Sequence, residues 1–138
     1  MYQHNIEIRV RYSETDKMGY VYYGNYAQYF EVARVEALRA LGLSYKSLED
    51  SGTMLPVREF KMSYYKPAHY DDLLTIETLI TEMPTAQLKF EFATYNDQKV
   101  LLNKGWVDLV FVNMEKNRPI KAPGYFLDAL SPFFKLEK

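Results

Sequence analysis

The chain lacks cysteine altogether and has only two histidines, His4 and His69, among its 138 residues. The absence of cysteine excludes disulfide bonds, thiolate zinc sites and a cysteine nucleophile. Two histidines far apart in the sequence offer a metal ion few ligands, so we expect no bound metal.

The sequence also lacks an excess of charge and a long apolar run. Its 17 basic and 18 acidic residues give a formal net charge of −1, which argues against a protein that neutralises many nucleic-acid phosphates. No segment approaches the roughly 20 apolar residues that span a bilayer. The opening MYQHNIEIRV has no apolar signal core. We therefore expect a cytoplasmic protein with no membrane span and no nucleic-acid partner.

Aromatic residues are abundant, with 13 Tyr, 8 Phe and 1 Trp. A tyrosine has an apolar ring and a polar hydroxyl, which suits a pocket or an interface as well as a sheet. Hydrophobic residues make up 48% of a length that fits one domain. We therefore expect a single folded domain over residues 1–138 rather than a disordered chain.

The hydrophobic pattern changes period along the chain. Residues 6–12 alternate as in a half-buried strand. Residues 25–42 place apolar side chains three and four apart, which predicts a helix of about four turns with Asn25 as N-cap and Gly42 as its end. Shorter helical segments are predicted at 44–50 and 123–130. Four further segments return to a period of two, at residues 54–65, 73–83, 88–95 and 100–114.

Strands gathered after one long helix indicate the α+β class, with an antiparallel sheet packed on that helix by one face. Gly105, inside the last strand, indicates a bulge or a close backbone approach. A single long helix cannot cover both faces and both edges of the sheet. An edge or a face is therefore expected to pair with another subunit.

Two segments, RVRYSETDKMGYVYYGNYAQYFEVAR at 9–34 and YYKPAHYDDLLTIET at 64–78, resemble the hot-dog acyl-CoA thioesterases. The resemblance is to the hydroxybenzoyl-CoA thioesterase branch, which includes the Tol–Pal-associated enzymes of bacteria. It implies the hot-dog fold, in which a five-stranded curved antiparallel sheet wraps around one long central helix. It also implies a homodimer or homotetramer with active sites between subunits, and no cofactor.

The resemblance assigns a reaction centre to the segment TDKMGYVYYG. The first residue of its Asp-x-x-Gly pattern, Asp16, is the catalytic carboxylate, and the backbone N–H of Tyr23 polarises the thioester carbonyl. Thioester hydrolysis needs such a base or nucleophile and such a donor. Gly24 and Asn25 form the helix start, and Gly24 permits close approach of a ligand. Apolar residues within the segment are expected to shield Asp16 from water.

Other residues are candidates for substrate binding, each with a structural alternative. Gly19 and Tyr26 are assigned to the binding site, although Tyr26 also fits the helix core. Arg58, Lys61 and Lys66 are candidates for contacts with the CoA phosphates, or for charges that protect a strand edge. Three further residues also have a structural interpretation: Asp16 as a turn residue bonded to its own backbone, Asn25 as a helix cap, and the ring of Tyr23 as an interface aromatic.

The sequence therefore predicts an acyl-CoA thioesterase that releases a free acid and CoA, with acyl carrier protein as an alternative carrier. A non-catalytic acyl-thioester-binding module is the second interpretation. A hydratase or dehydratase is disfavoured, because that chemistry usually pairs a histidine with an acid and neither histidine lies in the motif. Tyr23 stands where many Tol–Pal relatives carry histidine, which leaves the acyl group open. Asp71 and Asp72 are read as a turn that enters a strand.

Overall fold

An antiparallel sheet of five strands packs against one long helix, which confirms the predicted α+β hot-dog fold. The structure is a computed structural model, and it describes residues 1–134. The helices are α1 (Asn25–Arg39), α2 (Tyr45–Asp50) and α3 (Gly124–Leu130). The strands are β1 (Tyr2–Arg9), β2 (Thr53–Met54), β3 (Val57–Tyr64), β4 (Leu73–Ile80), β5 (Gln87–Tyr95), β6 (Leu101–Val110), β7 (Val112–Asn113) and β8 (Arg118–Pro119).

The main sheet has the strand order β1-β4-β5-β6-β3, and β2, β7 and β8 form a small second sheet. Alternate side chains of each strand point toward α1. On β4 the predicted inner row is fully buried, namely Leu74, Ile76, Thr78 and Ile80. Since β3 has a strand neighbour on only one side, it is an edge of the main sheet. Within residues 1–134, no helix is both long and apolar enough to cross a membrane.

Several boundaries differ from the sequence prediction; among them, the segment expected at 100–114 divides into β6 of the main sheet and β7 of the small sheet. Tyr12 is not in the first strand but in a 3-10 turn after it, where it is 77% exposed. Pro56 separates β2 from β3, because proline cannot donate a ladder hydrogen bond. The prediction that Asn25 caps α1 is wrong: Gly24 is the N-cap, and Asn25 is the first helical residue. Gly42 ends the helical region as predicted, with a φ of 82°.

Gly105 lies where two backbones and α1 come close together, which confirms the close-approach interpretation. A Cβ at this position would lie 2.6 Å from the Lys61 carbonyl oxygen and 2.6 Å from the Met62 sulfur. It would also lie 3.1 Å from the ring of Phe30 on α1. A side chain here would force β3 and the helix away from β6.

We expect Gly105→Ala to lower the free energy of unfolding by about 1–3 kcal/mol, the usual cost of overpacking a core. Gly124→Ala is the matched control, because a Cβ there meets no atom of the described residues within 4 Å. Urea unfolding of both variants checks this expectation. Equal stability of the two variants would contradict the close approach at Gly105.

Candidate active site

The Asp-x-x-Gly pattern forms a tight loop whose two sides are held together by the backbone. The N–H of Asp16 donates to the Tyr20 carbonyl at 2.8 Å, and Thr15 and Val21 form an isolated β-bridge. Gly19 has a φ of 78°, a conformation that residues with a Cβ rarely adopt. These backbone contacts hold the loop that carries Asp16, and Gly19 contributes the positive φ that the turn requires.

One oxygen of the Asp16 carboxylate accepts hydrogen bonds from the backbone of the loop. Its Oδ1 accepts hydrogen bonds from the N–H of Met18 at 2.9 Å and of Tyr20 at 3.3 Å. This is the turn geometry of the alternative interpretation. Its Oδ2 accepts no hydrogen bond from residues 1–134 and remains available to water or substrate. Asp16 is exposed. The expectation that apolar neighbours shield it from water is therefore not met within one chain.

The start of α1 presents backbone donors. The N–H of Asn25 donates to the Tyr22 carbonyl at 2.9 Å, and that of Tyr26 to the Tyr23 carbonyl at 3.3 Å. Neither Tyr23 nor Gly24 donates its N–H to an acceptor in the described part of the chain. Unpaired N–H groups at a helix N-terminus, together with the helix dipole, favour an anionic oxygen.

One cleft of about 300 Å³ joins these features. Asp16 and Tyr23 both line it, together with two other predicted site residues, Tyr26 and Lys66. Tyr64 forms its wall from β3, and its hydroxyl lies 3.4 Å from the Tyr23 carbonyl oxygen, to which it donates. The other lining residues are Tyr20, Val21, Tyr65 and Pro67.

Two of the predicted basic residues lie outside this cleft. The guanidinium of Arg58 forms an ion pair with Asp108 and a second one with Glu59. Lys61 lines a separate groove with Glu77 and Glu91. Lys61 alternates with Phe60, which packs on Phe30 of α1, so Lys61 lies on the outer face of the sheet. Arg58 reaches the same face at an irregularity of β3, because the pairing register shifts between Val57 and Glu59, and both Arg58 and Lys61 lie beside Trp106. Of the three predicted cations, Lys66, beyond the end of β3, is the one that lines the same cleft as Asp16.

Glu14 is a residue that the sequence interpretation missed. It is 5% exposed, and its Oε1 accepts from the Tyr29 hydroxyl at 2.8 Å and from the Arg11 N–H at 2.8 Å. Its Oε2 accepts from the Arg11 guanidinium at 2.8 Å. The sequence signal is weak, namely an arginine and an acid three residues apart just before the Asp16 turn.

The pKa values of Glu14, Tyr29 and Tyr26 are shifted from their usual values. Burial raises the pKa of Glu14, but hydrogen bonds from Arg11 and Tyr29 and the charge of Arg11 outweigh it and leave the pKa below its usual value. Burial, followed by the hydrogen bond to Glu14, raises the pKa of Tyr29. Burial is also the largest cause that raises the pKa of Tyr26 to about 12. Both tyrosines therefore stay protonated at neutral pH and can donate.

Asp71 and Asp72 form the turn before β4, as expected. Asp71 has a φ of 68°, and Asp72 Oδ2 accepts from the His69 backbone N–H at 2.9 Å. His69 packs against the ring of Tyr20 with ring centroids 5.3 Å apart. This turn therefore supports the back of the Asp16 loop.

Comparison with known proteins places this geometry in a family. A sequence profile described as the thioesterase superfamily matches residues 18–102. The chain is 37% identical over 116 residues to the acyl-CoA thioester hydrolase YbgC of Escherichia coli O6:H1. This alignment covers 84% of this chain and 87% of that protein. It is 33% identical over 132 residues to YneP of Bacillus subtilis, a candidate acyl-CoA thioesterase, with 96% of each chain covered. A DHNA-CoA thioesterase structure from Staphylococcus aureus matches with a TM-score of 0.89 and 31% identity, over 99% of this chain and 92% of that one.

We expect Glu14→Gln to lower the free energy of unfolding at pH 7 by about 1–3 kcal/mol, because the amide leaves buried donors without the charged acceptor. The folded-state pKa of Glu14 lies below that of the unfolded chain, which is about 4.3. The stabilisation is therefore fully present above that pH and is lost as the pH falls through the folded-state pKa.

Urea unfolding of wild type and variant from pH 7 to pH 3 measures this difference, which should shrink on acidification. Glu36→Gln is the matched control, since it removes a more exposed Glu–Arg pair with the same spacing. It should change stability by less than about 1 kcal/mol. A Glu14→Gln difference that does not depend on pH would contradict the ionised cluster.

Proposed function

Because this chain belongs to the thioesterase superfamily and is an acyl-CoA thioester hydrolase, we propose that its reaction takes place in the cleft between the Asp16 loop and the start of α1. One observation carries this proposal. The cleft is lined both by Asp16, whose Oδ2 has no donor among residues 1–134, and by Tyr23 before the start of α1, whose backbone N–H has no acceptor among those residues. These are the two groups that hydrolysis of a thioester needs.

In the proposed mechanism the thioester carbonyl oxygen accepts a hydrogen bond from the N–H of Tyr23. As the carbonyl carbon becomes tetrahedral, negative charge grows on this oxygen, and the donor and the dipole of α1 stabilise it. Asp16 either attacks the carbon itself or takes a proton from the water that attacks. The carbon–sulfur bond then breaks, and the CoA thiolate takes a proton. When water is the nucleophile, this step releases the acid. When Asp16 is the nucleophile, this step leaves a mixed anhydride on Asp16, which water hydrolyses to release the acid and restore the carboxylate.

The proposed binding contacts use the remaining lining of the cleft. Lys66 is a cation for a phosphate of the CoA arm, and the rings of Tyr26 and Tyr64 are apolar walls for the acyl group or the arm. Arg58 is held by Asp108 and Glu59 on the other face of the sheet. It is therefore less suited to this task than Lys66. An alternative is that acyl carrier protein, rather than CoA, carries the acyl group to this cleft.

We also propose a homodimer or homotetramer in which a second subunit completes the cleft. The edge strand β3 has exposed apolar side chains, including Val57, Phe60 and Tyr64. Such an edge favours pairing with another chain. Asp16 is exposed in one chain, and a partner at the β3 edge would exclude water from the neighbouring cleft. A cytoplasmic location is also proposed, and it rests on the sequence alone.

We expect sedimentation velocity at micromolar concentration to show a dimer or a larger assembly, because β3 leaves apolar surface and unpaired backbone groups at the sheet edge. Hydrolysis of acyl-CoA is measured on the same samples. A folded monomer with full activity would contradict the completed cleft.

We expect Asp16→Asn to bind substrate about as well as wild type and to lose about 10²–10⁴-fold in kcat, the usual contribution of a general base. The substitution keeps the shape and the loop hydrogen bond but removes the charge. Asp50→Asn is the control, because it alters an exposed aspartate in α2. Circular dichroism confirms folding. Wild-type kcat in Asp16→Asn would favour the non-catalytic binding module, with Asp16 as a turn residue.

We expect Tyr23→Phe to keep most of the activity and Tyr23→Pro to lose about 10²–10³-fold in kcat, because only proline removes the backbone donor. Both variants lack the hydroxyl, so the comparison isolates the N–H. Steady-state kinetics on protein with wild-type circular dichroism is the measurement. Equal damage from both substitutions would assign the work to the tyrosine hydroxyl instead.

A further inference from the structure

The buried carboxylate of Glu14 joins the segment after β1 to the first part of α1. Both of its oxygens are occupied, Oε1 by the Tyr29 hydroxyl and the Arg11 N–H and Oε2 by the Arg11 guanidinium. Arg11 lies two residues after the end of β1, and Tyr29 lies one turn into α1. The side chain thus connects the chain before the Asp16 loop with the helix that follows it.

The backbone carbonyl of Glu14 makes a second connection. It accepts from the N–H of Tyr22 at 2.8 Å and from the Asn25 side-chain amide at 2.7 Å. Tyr22 immediately precedes the proposed donor Tyr23, and Glu14 lies two residues before Asp16. One residue therefore holds both ends of the segment that carries the two reacting groups.

Glu14 is unsuited to act on the substrate itself. Its side chain is 7% exposed and does not line the cleft, and its oxygens already have donors from Arg11 and Tyr29. The ion pair with Arg11 is also a weak reason to bury this carboxylate, because the Arg11 side chain is 75% exposed and an exposed ion pair contributes little stability. Its bonds instead fix a distance across the loop.

We propose that Glu14 and Tyr29 are positioning residues for hydrolysis, which hold the Asp16 carboxylate at the correct distance from the Tyr23 N–H. This inference rests on the proposed function, since it acts through those two groups. A misplacement of about 1 Å can cost about 10²-fold in rate, because the reacting atoms must lie in near-attack geometry. Loosening the loop should therefore lower kcat and leave substrate affinity nearly unchanged.

The experiment compares Tyr29→Phe with Tyr45→Phe. Both substitutions delete a hydroxyl that bonds to a charged side chain, Glu14 in one case and Arg34 in the other. Tyr45 is in α2 and outside the cleft. We expect Tyr29→Phe to lower kcat about 10- to 100-fold with KM changed less than about threefold, and Tyr45→Phe to leave both near wild type. Thermal unfolding shows how much each variant loses in stability.

A double-mutant cycle separates positioning from a general structural effect. When Tyr29→Phe is added to Asp16→Asn, it should lower the residual kcat by less than about threefold, because the group that it positions is already inactive. Glu14→Gln, in place of Tyr29→Phe, should give the same pattern and serves as the second variant if one of them does not fold.

Three results overturn the inference, and the first is distinguishable from the other two. If Asp16→Asn keeps wild-type kcat, the proposed site is wrong and the inference is wrong with it. If Asp16→Asn loses activity while Tyr29→Phe and Tyr45→Phe keep equal kcat, only the positioning by Glu14 and Tyr29 is wrong. Full additivity in the cycle would also contradict it, since it would show an effect independent of Asp16.

Discussion

The packing of α1 on the inner face of the sheet is the contact on which the rest of the structure depends. Phe30 is fully buried and stacks on Phe92 of β5 with ring centroids 4.4 Å apart. The absence of a side chain at Gly105 leaves room for the Phe30 ring beside β3. The start of this helix lies beside the β3 edge, where Tyr26 packs against Tyr64, and it carries the backbone donors of the proposed site.

The same packing leaves the molecule with an incomplete surface. One helix covers the inner face, while β3 remains an edge with exposed apolar side chains close to Tyr23 and the cleft. The exposed Asp16 lies in that cleft, so its reaction would occur in open water unless another chain covered it. Water exclusion strengthens the electrostatic interactions of a site. The proposed subunit contact is thus connected to the proposed reaction, because the β3 edge and the cleft are neighbours.

The sequence predicted the α+β class, the long helix and the inner row of β4 because periodic burial is a local signal. The reaction segment, which the resemblance to a family supplied, stays a prediction. The sequence missed Glu14, because burial of an acid depends on donors from α1 and from the end of β1, which only the fold brings together. The spacing of α1 also does not show that Arg34 is buried, because its partner, the hydroxyl of Tyr45, lies on another helix. The pattern of β3 could not show that Arg58 is held by Asp108, fifty positions away.

The central claim is that Asp16 and the N–H of Tyr23 act on one thioester carbonyl, and a bound complex tests it most directly. The measurement is a crystal structure with a ketone analogue of acyl-CoA, in which a methylene replaces sulfur so that the carbonyl remains but cannot be hydrolysed. The account predicts the carbonyl oxygen at about 2.7–3.2 Å from the Tyr23 nitrogen. It also predicts Asp16, or a water bonded to it, at about 3–3.5 Å from the carbonyl carbon. An analogue bound in the outer groove beside Lys61, or with its carbonyl remote from the start of α1, would contradict the account.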